Sequence, residues 1–305
     1  MDMYQKREMR KNKKMDENTK SLPSTSINWY PGHMAKTKRL IKENLEFIDI
    51  VLEVVDSRIP FSSRIKDLDD IIKSKPKLMI LTKKDLCDEE ETKKWIKHYE
   101  KNGYKTILMD IEHEFNYNVI LNSIKEIMKN INEKRESKGL LNKKPRILVI
   151  GVPNVGKSAL INHLVKAKVA STGNKPGVTK NLNWIRKSDD FELLDTPGLL
   201  WPKIDEGNIA YNLAAFTAIR EEVLPLYDVT IYVLKTLEKY YPQILLSRYN
   251  LKEINDELEA LDVVGKRRGA LERGGSIDYD KVINIIINDF KQGFIKGVTF
   301  DRYED

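Results

Sequence analysis

The sequence predicts an α/β fold in which a mostly parallel sheet is covered by helices on both faces, followed by an all-α region. Three observations predict it. Short apolar runs alternate with helical stretches between Ile48 and Ile150, as strands do when crossover helices return them to one parallel sheet. The last of these runs enters a glycine-bearing loop that opens directly into a helical pattern. Beyond Pro202, apolar residues recur only at helical spacing.

Each element has its own warrant. Residues 1–26 are polar, lysine-rich and poor in apolar side chains, so they read as a disordered basic arm. From Ile27 onward, Trp29-Tyr30-Pro31-Gly32-His33-Met34 leads into a stretch whose Leu40, Ile41, Leu45 and Ile48 share a helical face. Ile48 to Val55 is a buried strand, and Pro60 in Asp56-Ser57-Arg58-Ile59-Pro60 ends regular structure. Leu78 to Leu81 is a second strand running into Thr82-Lys83-Lys84-Asp85, and Thr106 to Met109 is a third. After a polar helix and a lysine-rich joint at 138–144, Arg146 to Ile150 is the fourth. Trp184-Ile185 and Phe191 to Leu194 are two more, around a turn at Ser188-Asp189-Asp190. In the all-α region, Val229, Tyr232, Val233, Leu237 and Tyr240 mark one helix. Val282, Ile285, Ile286 and Phe290 mark another, capped by Asp278 and followed by Gly293. The expected organisation is an arm at 1–26, an α/β domain at 27–202 and a helical domain at 203–305, joined through Trp201-Pro202.

Composition narrows the function classes. The chain has 305 residues and a net charge of +7, which favours an acidic polymer as partner. Residues 203–305 nevertheless carry 14 basic and 18 acidic side chains, so any contact with nucleic acid there needs a local patch. Lys266-Arg267-Arg268 is the best local patch, and a solvated face is its plainer reading. One cysteine, Cys87, excludes a disulfide framework and a cysteine-based zinc site. No run reaches the roughly 18 apolar residues of a membrane span, and the first 20 residues lack a signal-peptide core. The expectation is a cytoplasmic chain without a membrane partner.

The chemistry is carried by phosphate-binding and base-reading motifs. Gly151-Val152-Pro153-Asn154-Val155-Gly156-Lys157-Ser158 matches G-x-x-x-x-G-K-[ST] between a strand and a helix. Its amides would cradle a β-phosphate, Lys157 would lie between β- and γ-phosphates, and Ser158 would ligate Mg²⁺. Asp195-Thr196-Pro197-Gly198 begins 38 residues after Lys157, where Asp195 suits Mg²⁺ and the Gly198 amide suits the γ-phosphate. Thr179 lies between as a candidate switch threonine on the same ion. Thr82-Lys83-Lys84-Asp85 is similar to N-K-x-D, in which the aspartate accepts hydrogen bonds from guanine N1 and N2. Adenine lacks those donors and would leave the carboxylate unpaired. Thr82 replaces the usual asparagine, so the contacts that brace this loop are expected to be missing and nucleotide affinity modest.

The order of these motifs is unusual. Thr82 precedes Gly151 by 69 residues, whereas ordinary GTPases place the phosphate loop first. A P-loop GTPase domain with circularly permuted motif order is therefore expected. Permutation leaves a sheet intact when the termini it joins lie close together. It also runs the segment after Gly198 straight into the helical domain, whose orientation is expected to follow nucleotide state.

These residues resemble the circularly permuted GTPases, most closely the ribosome biogenesis GTPase A family. The matching features are Trp29 to Lys36 (WYPGHMAK), Asp56 to Pro60 (DSRIP), Thr82 to Asp85, Gly151 to Ser158, Pro176 to Thr179 (PGVT) and Asp195 to Gly198, in that order. They cover about residues 27 to 202. The resemblance implies a cytoplasmic, monomeric GTPase using GTP/GDP and Mg²⁺. Its partners would be the immature large (50S) ribosomal subunit and rRNA, late in assembly, with hydrolysis stimulated by the particle and the helical domain contacting RNA. By the same resemblance Asp110 and Ile111, in Met109-Asp110-Ile111, are the fifth element at the guanine edge. Asn154 is similar to the asparagine that helps place K⁺ in potassium-dependent GTPases, and Val155 and Gly156 contact the nucleotide. Ala159 stands where a hydroxyl residue is common, leaving the backbone amide for the α-phosphate.

Water activation needs a group from elsewhere. Leu199, followed by Leu200, occupies the position that many GTPases give to a water-orienting glutamine. His33 is the candidate by resemblance, carried on a flexible Pro-Gly segment; a hydrogen-bonded structural histidine is the other reading. Trp29 and Tyr30 either stack on bases or anchor the arm. Asp56 and Arg58 read as a local ion pair ending a strand. The competing function is a nucleotide-gated RNA-binding scaffold with negligible hydrolysis; a membrane-recruited GTPase lacks an anchor motif here.

Overall fold

The chain enters with β1 (Ile27–Asn28) and α1 (Gly32–Asn44), and its computed structural model describes residues 27–28, 32–169, 182–186, 188–199, 203–204, 207–216 and 225–304. Six strands form the main sheet: β2 (Ile50–Asp56), β3 (Lys77–Thr82), β4 (Tyr104–Leu108), β5 (Arg146–Ile150), β6 (Asn183–Ile185) and β7 (Glu192–Asp195). Their order is β4-β3-β2-β5-β7-β6, and every pair is parallel except β6 with β7. Each strand expected from the sequence is present, with boundaries moved by one or two residues. A separate ladder pairs β1 with β8 (Lys203–Ile204), antiparallel.

The sheet is hydrophobic because both of its faces are covered. All seven residues of β2 are buried, which is what a central strand between helices requires. The exceptions in character are Asp56, at the strand end, and Glu53. The Glu53 carboxylate is buried with Arg64 Nη2 at 3.3 Å and the Ile65 amide at 3.1 Å, so the charge is compensated where it sits. Helices α2 (Asp69–Ile72), α3 (Glu89–Lys101), α4 (Tyr117–Glu136) and α5 (Lys157–Leu164) connect the strands. Asp88 caps α3 by accepting the Glu90 and Glu91 amides, and Asn116 caps α4 through the Val119 amide. Leu160, Ile161 and Leu164 are the buried stripe of α5, at the spacing the sequence gives them.

Among the described residues five further helices follow: α6 (Gly207–Ala215), α7 (Leu226–Tyr240), α8 (Pro242–Tyr249), α9 (Glu257–Arg268) and α10 (Tyr279–Lys291). Asp278 caps α10 through the Lys281 amide, as expected. Val229, Val233, Leu237, Val282, Ile286 and Phe290 are buried, and they belong to the same apolar cluster as Ile50 and Leu148 of the sheet.

Residues 295–303 then return to the α/β part. The buried Asp301 carboxylate accepts the Phe61 amide at 2.7 Å, the Ser62 amide at 2.6 Å and Asn212 Nδ2 at 2.8 Å. Trp95 Nε1 donates to Asp301 O at 2.9 Å. The linkage between helices and sheet therefore extends well beyond the Trp201-Pro202 turn, which itself lies outside the described residues. Among the described residues, no helix is long and apolar enough to cross a membrane.

Candidate functional site

Four strand ends converge on one edge of the sheet. The register sets Asp56 beside Thr82, Glu53 beside Ile150 and Val149 beside Asp195, so Asp56, Thr82, the Gly151 turn and Asp195 leave neighbouring strands together. Open α/β sheets bind ligands in the crevice at these carboxyl ends, where connections diverge to opposite sides. The divergence falls between β2, which leads outward to β3 and β4, and β5, which leads to β7 and β6. Permutation has thus separated in sequence what the sheet holds side by side.

The phosphate loop joins β5 to α5. Gly156 has φ +93°, a left-handed conformation that L side chains rarely adopt, and it faces Ile111 Cδ1 and Thr82 Cγ2. As N-cap of α5 it brings no side chain to the first-turn amides, which leaves them to an anion at the positive end of the helix. Asn154 is also left-handed, at φ 67°. Lys157 is buried, and its Nζ donates to Asp195 Oδ1. The sequence puts Lys157 between phosphates; the structure pairs it with the neighbouring motif's carboxylate, because opposite charges buried at the start of α5 and the end of β7 neutralise each other. Ser158 and Ala159, both half-buried, follow in the first turn of α5. The Ser158 hydroxyl and Asp195 carboxylate are oxygen donors, so the residues present fit Mg²⁺.

Asp195-Thr196-Pro197-Gly198 lies flat on this loop. Thr196 Oγ1 donates to Val149 O at 2.8 Å, and the Leu199 amide to Gly151 O at 3.2 Å. A Cβ on Gly198 would sit 2.9 Å from Pro153 Cγ, so only glycine allows this approach. Leu199 is buried, and its side chain offers nothing to a water molecule.

The base-reading segment meets the loop from the other side. Thr82 Oγ1 donates its proton to Val155 O at 2.7 Å and lies 3.1 Å from Val55 O. This corrects the expectation that losing the asparagine leaves the segment unbraced, since the hydroxyl itself ties it to the phosphate loop. Lys83, left-handed at φ 58°, donates Nζ to Asn154 O at 3.1 Å and to Asp56 Oδ2 at 2.8 Å. Lys84 is half-buried and Asp85 exposed, within one turn of 3₁₀ helix. Asp110 and Ile111 are buried beside it. Asp110 Oδ1 accepts the Glu112 amide at 2.9 Å and the His113 amide at 3.2 Å.

Sequence reasoning missed two features. His113 Nδ1 lies 2.7 Å from Asp110 Oδ2, and that hydrogen bond raises the imidazole pKa above its ordinary value. Asp85, Asp110 and His113 form one group whose ligand atoms lie within 4.8 Å of one another, which the Asp-x-x-His spacing could have signalled. The second is the reach of Asp56 and Arg58. Their ion pair exists, with Nη2 to Oδ2 at 2.8 Å, but the same carboxylate also holds Lys83. Burial alone would raise the Asp56 pKa; Arg58 and then Lys83 outweigh it and hold the carboxyl well below the usual range. Burial lowers the Lys83 ammonium from its ordinary value, against the pull of Asp56.

Four expectations fall elsewhere. Thr179 and the Pro176–Thr179 motif lie outside the described residues, as do Trp29 and Tyr30. The backbone of His33 is in the first turn of α1, and its side chain is outside the described set. Lys266, Arg267 and Arg268 are exposed at the end of α9, where Arg267 Nη2 donates to Ser247 O at 3.3 Å and Arg268 pairs with Asp289 at 3.4 Å.

Comparison with known proteins accounts for this arrangement. Residues 146–267 match the family described as "50S ribosome-binding GTPase". The chain is 45% identical over 280 residues to ribosome biogenesis GTPase A of Bacillus licheniformis, covering 92% of this chain and 99% of that one. It is 30% identical to ribosome biogenesis GTPase A of Thermotoga maritima, covering 92% and 95%. The solved structure of GNP-bound YlqF from T. maritima superposes with a TM-score of 0.63 at 26% identity, covering 88% of this chain and 99% of that one. With the permuted motifs gathered at one sheet edge and relatives matched nearly end to end, the chain belongs to the ribosome biogenesis GTPase A family of circularly permuted GTPases.

Proposed function

We propose that this GTPase of ribosome biogenesis binds GTP at the edge formed by Thr82–Asp85, Gly151–Ser158 and Asp195–Gly198. We further propose that it acts late in maturation of the large ribosomal subunit, contacting rRNA. The observation that supports this most is the pair of hydrogen bonds from Thr82 and Lys83 to Val155 O and Asn154 O. They lock a guanine-reading segment to a phosphate loop distant in sequence.

In this reading Asp85 selects guanine, with Asp110 and Ile111 along the base edge. The loop amides and α5 take the β-phosphate. When GTP enters, Lys157 exchanges Asp195 for phosphate oxygens and so frees the carboxylate. Ser158, Thr179 and Asp195 would hold Mg²⁺, which neutralises phosphate charge during transfer. Asn154 would place K⁺ against the phosphates, in the role an arginine finger fills elsewhere. Hydrolysis accelerates when docking on the particle brings His33 to the attacking water. RNA contact is assigned to the 203–305 helices and their Lys266–Arg268 patch.

The test has two stages. Calorimetry with GDP and ADP should give binding to the first alone, and turnover should rise when purified large subunits are added. Equal affinity for ADP would overturn the site. Binding to the subunit without any rise in turnover would favour the scaffold reading, for which the buried Leu199 is the supporting observation.

A further inference from the structure

Arg58 is a buried arginine, and each of its three guanidinium nitrogens donates a hydrogen bond. Nε and Nη2 donate to the two Asp56 carboxylate oxygens at 3.0 and 2.8 Å, and Nη1 donates to Phe290 O at 2.9 Å. The Phe216 ring lies 4.4 Å from the guanidinium carbon. Phe290 is in the last turn of α10, where the helix end is negative, and its carbonyl also accepts the Gly293 amide at 3.3 Å. One side chain thus joins the end of β2 to the C-terminal helices.

From Asp56 the connection continues into the nucleotide site. Oδ2 is shared between Arg58 and Lys83 Nζ, and the same ammonium reaches Asn154 O of the phosphate loop. Lys83 has left-handed backbone, a strained state for lysine that persists only where partners hold it. A second tie lies three residues on. Leu86 O accepts the amides of Gly297 at 2.9 Å and Val298 at 3.2 Å, beyond the end of α10. The base-reading segment is therefore held near both ends by contacts that lead to the C-terminal region.

We propose that Arg58 is a positioning residue for guanine-nucleotide binding: by tying α10 to Asp56, it makes the placement of Lys83, and so nucleotide affinity, depend on how the C-terminal helices sit. This rests on the nucleotide site described above. Linkage makes the dependence reciprocal, so nucleotide must also tighten the 297–298 contact. Arginine is needed because one planar fork spans a carboxylate and a carbonyl at once, which a lysine ammonium on a single stem cannot do.

The full chain tests it. If the unsubstituted chain fails to bind GDP, or binds ADP equally, the site reading is wrong and the failure is distinct from this one. Given selective GDP binding, Arg58→Lys is expected to weaken GDP and a non-hydrolysable GTP analogue alike, by about tenfold, with kcat at saturating GTP nearly unchanged. Hydrogen exchange at the Gly297 and Val298 amides is expected to slow on adding GDP in the unsubstituted chain and to be unresponsive in Arg58→Lys. Affinity in Arg58→Lys equal to that of the unsubstituted chain overturns the proposal. So does exchange at 297–298 that ignores GDP in the unsubstituted chain, a measurement that decides even if Arg58→Lys fails to fold.

Discussion

Thr82 Oγ1 donates to Val155 O at 2.7 Å across 73 residues of sequence, and this bond stands where a family asparagine would brace the base-reading segment. Thr82→Val keeps the shape and removes the donor, leaving a buried carbonyl without that partner, at a cost of about 1–3 kcal/mol. The expected outcome is GDP affinity roughly tenfold lower in calorimetry. Thr82→Ser should retain most of the affinity, because the hydroxyl is kept.

Lys157 and Asp195 neutralise each other in a buried pair. Asp195→Asn leaves the ammonium uncompensated, and loss of one partner of such a pair destabilises by about 3–5 kcal/mol. Urea unfolding should reveal that loss. The same variant is expected to make GTP binding indifferent to EDTA, whereas the unsubstituted chain should weaken when Mg²⁺ is removed.

Much of this site was legible because its chemistry is local. Gly151–Ser158 carries its loop, its lysine and its proposed cation ligand in eight residues, and β5 and α5 flank it as the apolar pattern requires. β3 and β5 were legible for the same reason, since Leu78–Leu81 and Ile147–Ile150 are runs of four apolar residues with a turn after them. What escaped was non-local. Arg58 and Phe290 are 232 residues apart, and nothing in either neighbourhood marks the contact. Asp301 stands in sequence beside Arg302 and Glu304, yet it is buried and bonded to the Phe61 and Ser62 amides, a placement set by the return of the last segment. Thr82 was misread in its consequence because a residue type shows what is missing and only the fold shows what substitutes for it.

Asp56 makes stability depend on acid. Its folded pKa is depressed below the ordinary 3.8, so the ionised carboxylate contributes stability that is fully present above that value and is lost as pH falls below it. Asp56→Asn removes the charge at every pH and leaves Arg58 and Lys83 facing one another. The urea midpoint of this variant is expected to lie well below that of the unsubstituted chain at pH 7, by an amount corresponding to about 3 kcal/mol. The two curves should converge as pH falls below about 4. A gap that stays constant with pH would show that the carboxylate is not ionised in the folded chain.

Leu199 leaves the usual water-orienting position apolar and buried, with its amide spent on Gly151 O. A polar group must therefore arrive from another segment if hydrolysis is to be fast. The antiparallel ladder of β1 with β8 pairs Ile27 with Ile204, so the chain six residues before His33 is tied to the chain six residues after Gly198. In the proposed function the γ-phosphate lies at Gly198, which packs on Pro153, and His33 is the group supplied on docking. His33→Ala should accordingly keep GDP affinity while particle-stimulated turnover falls by about a hundredfold or more, the usual range for a general acid–base group. The unstimulated rate should change little, since the proposed role of the side chain begins only when the particle docks. Full stimulated turnover in His33→Ala would transfer the role to another residue and leave the ladder a purely structural tie.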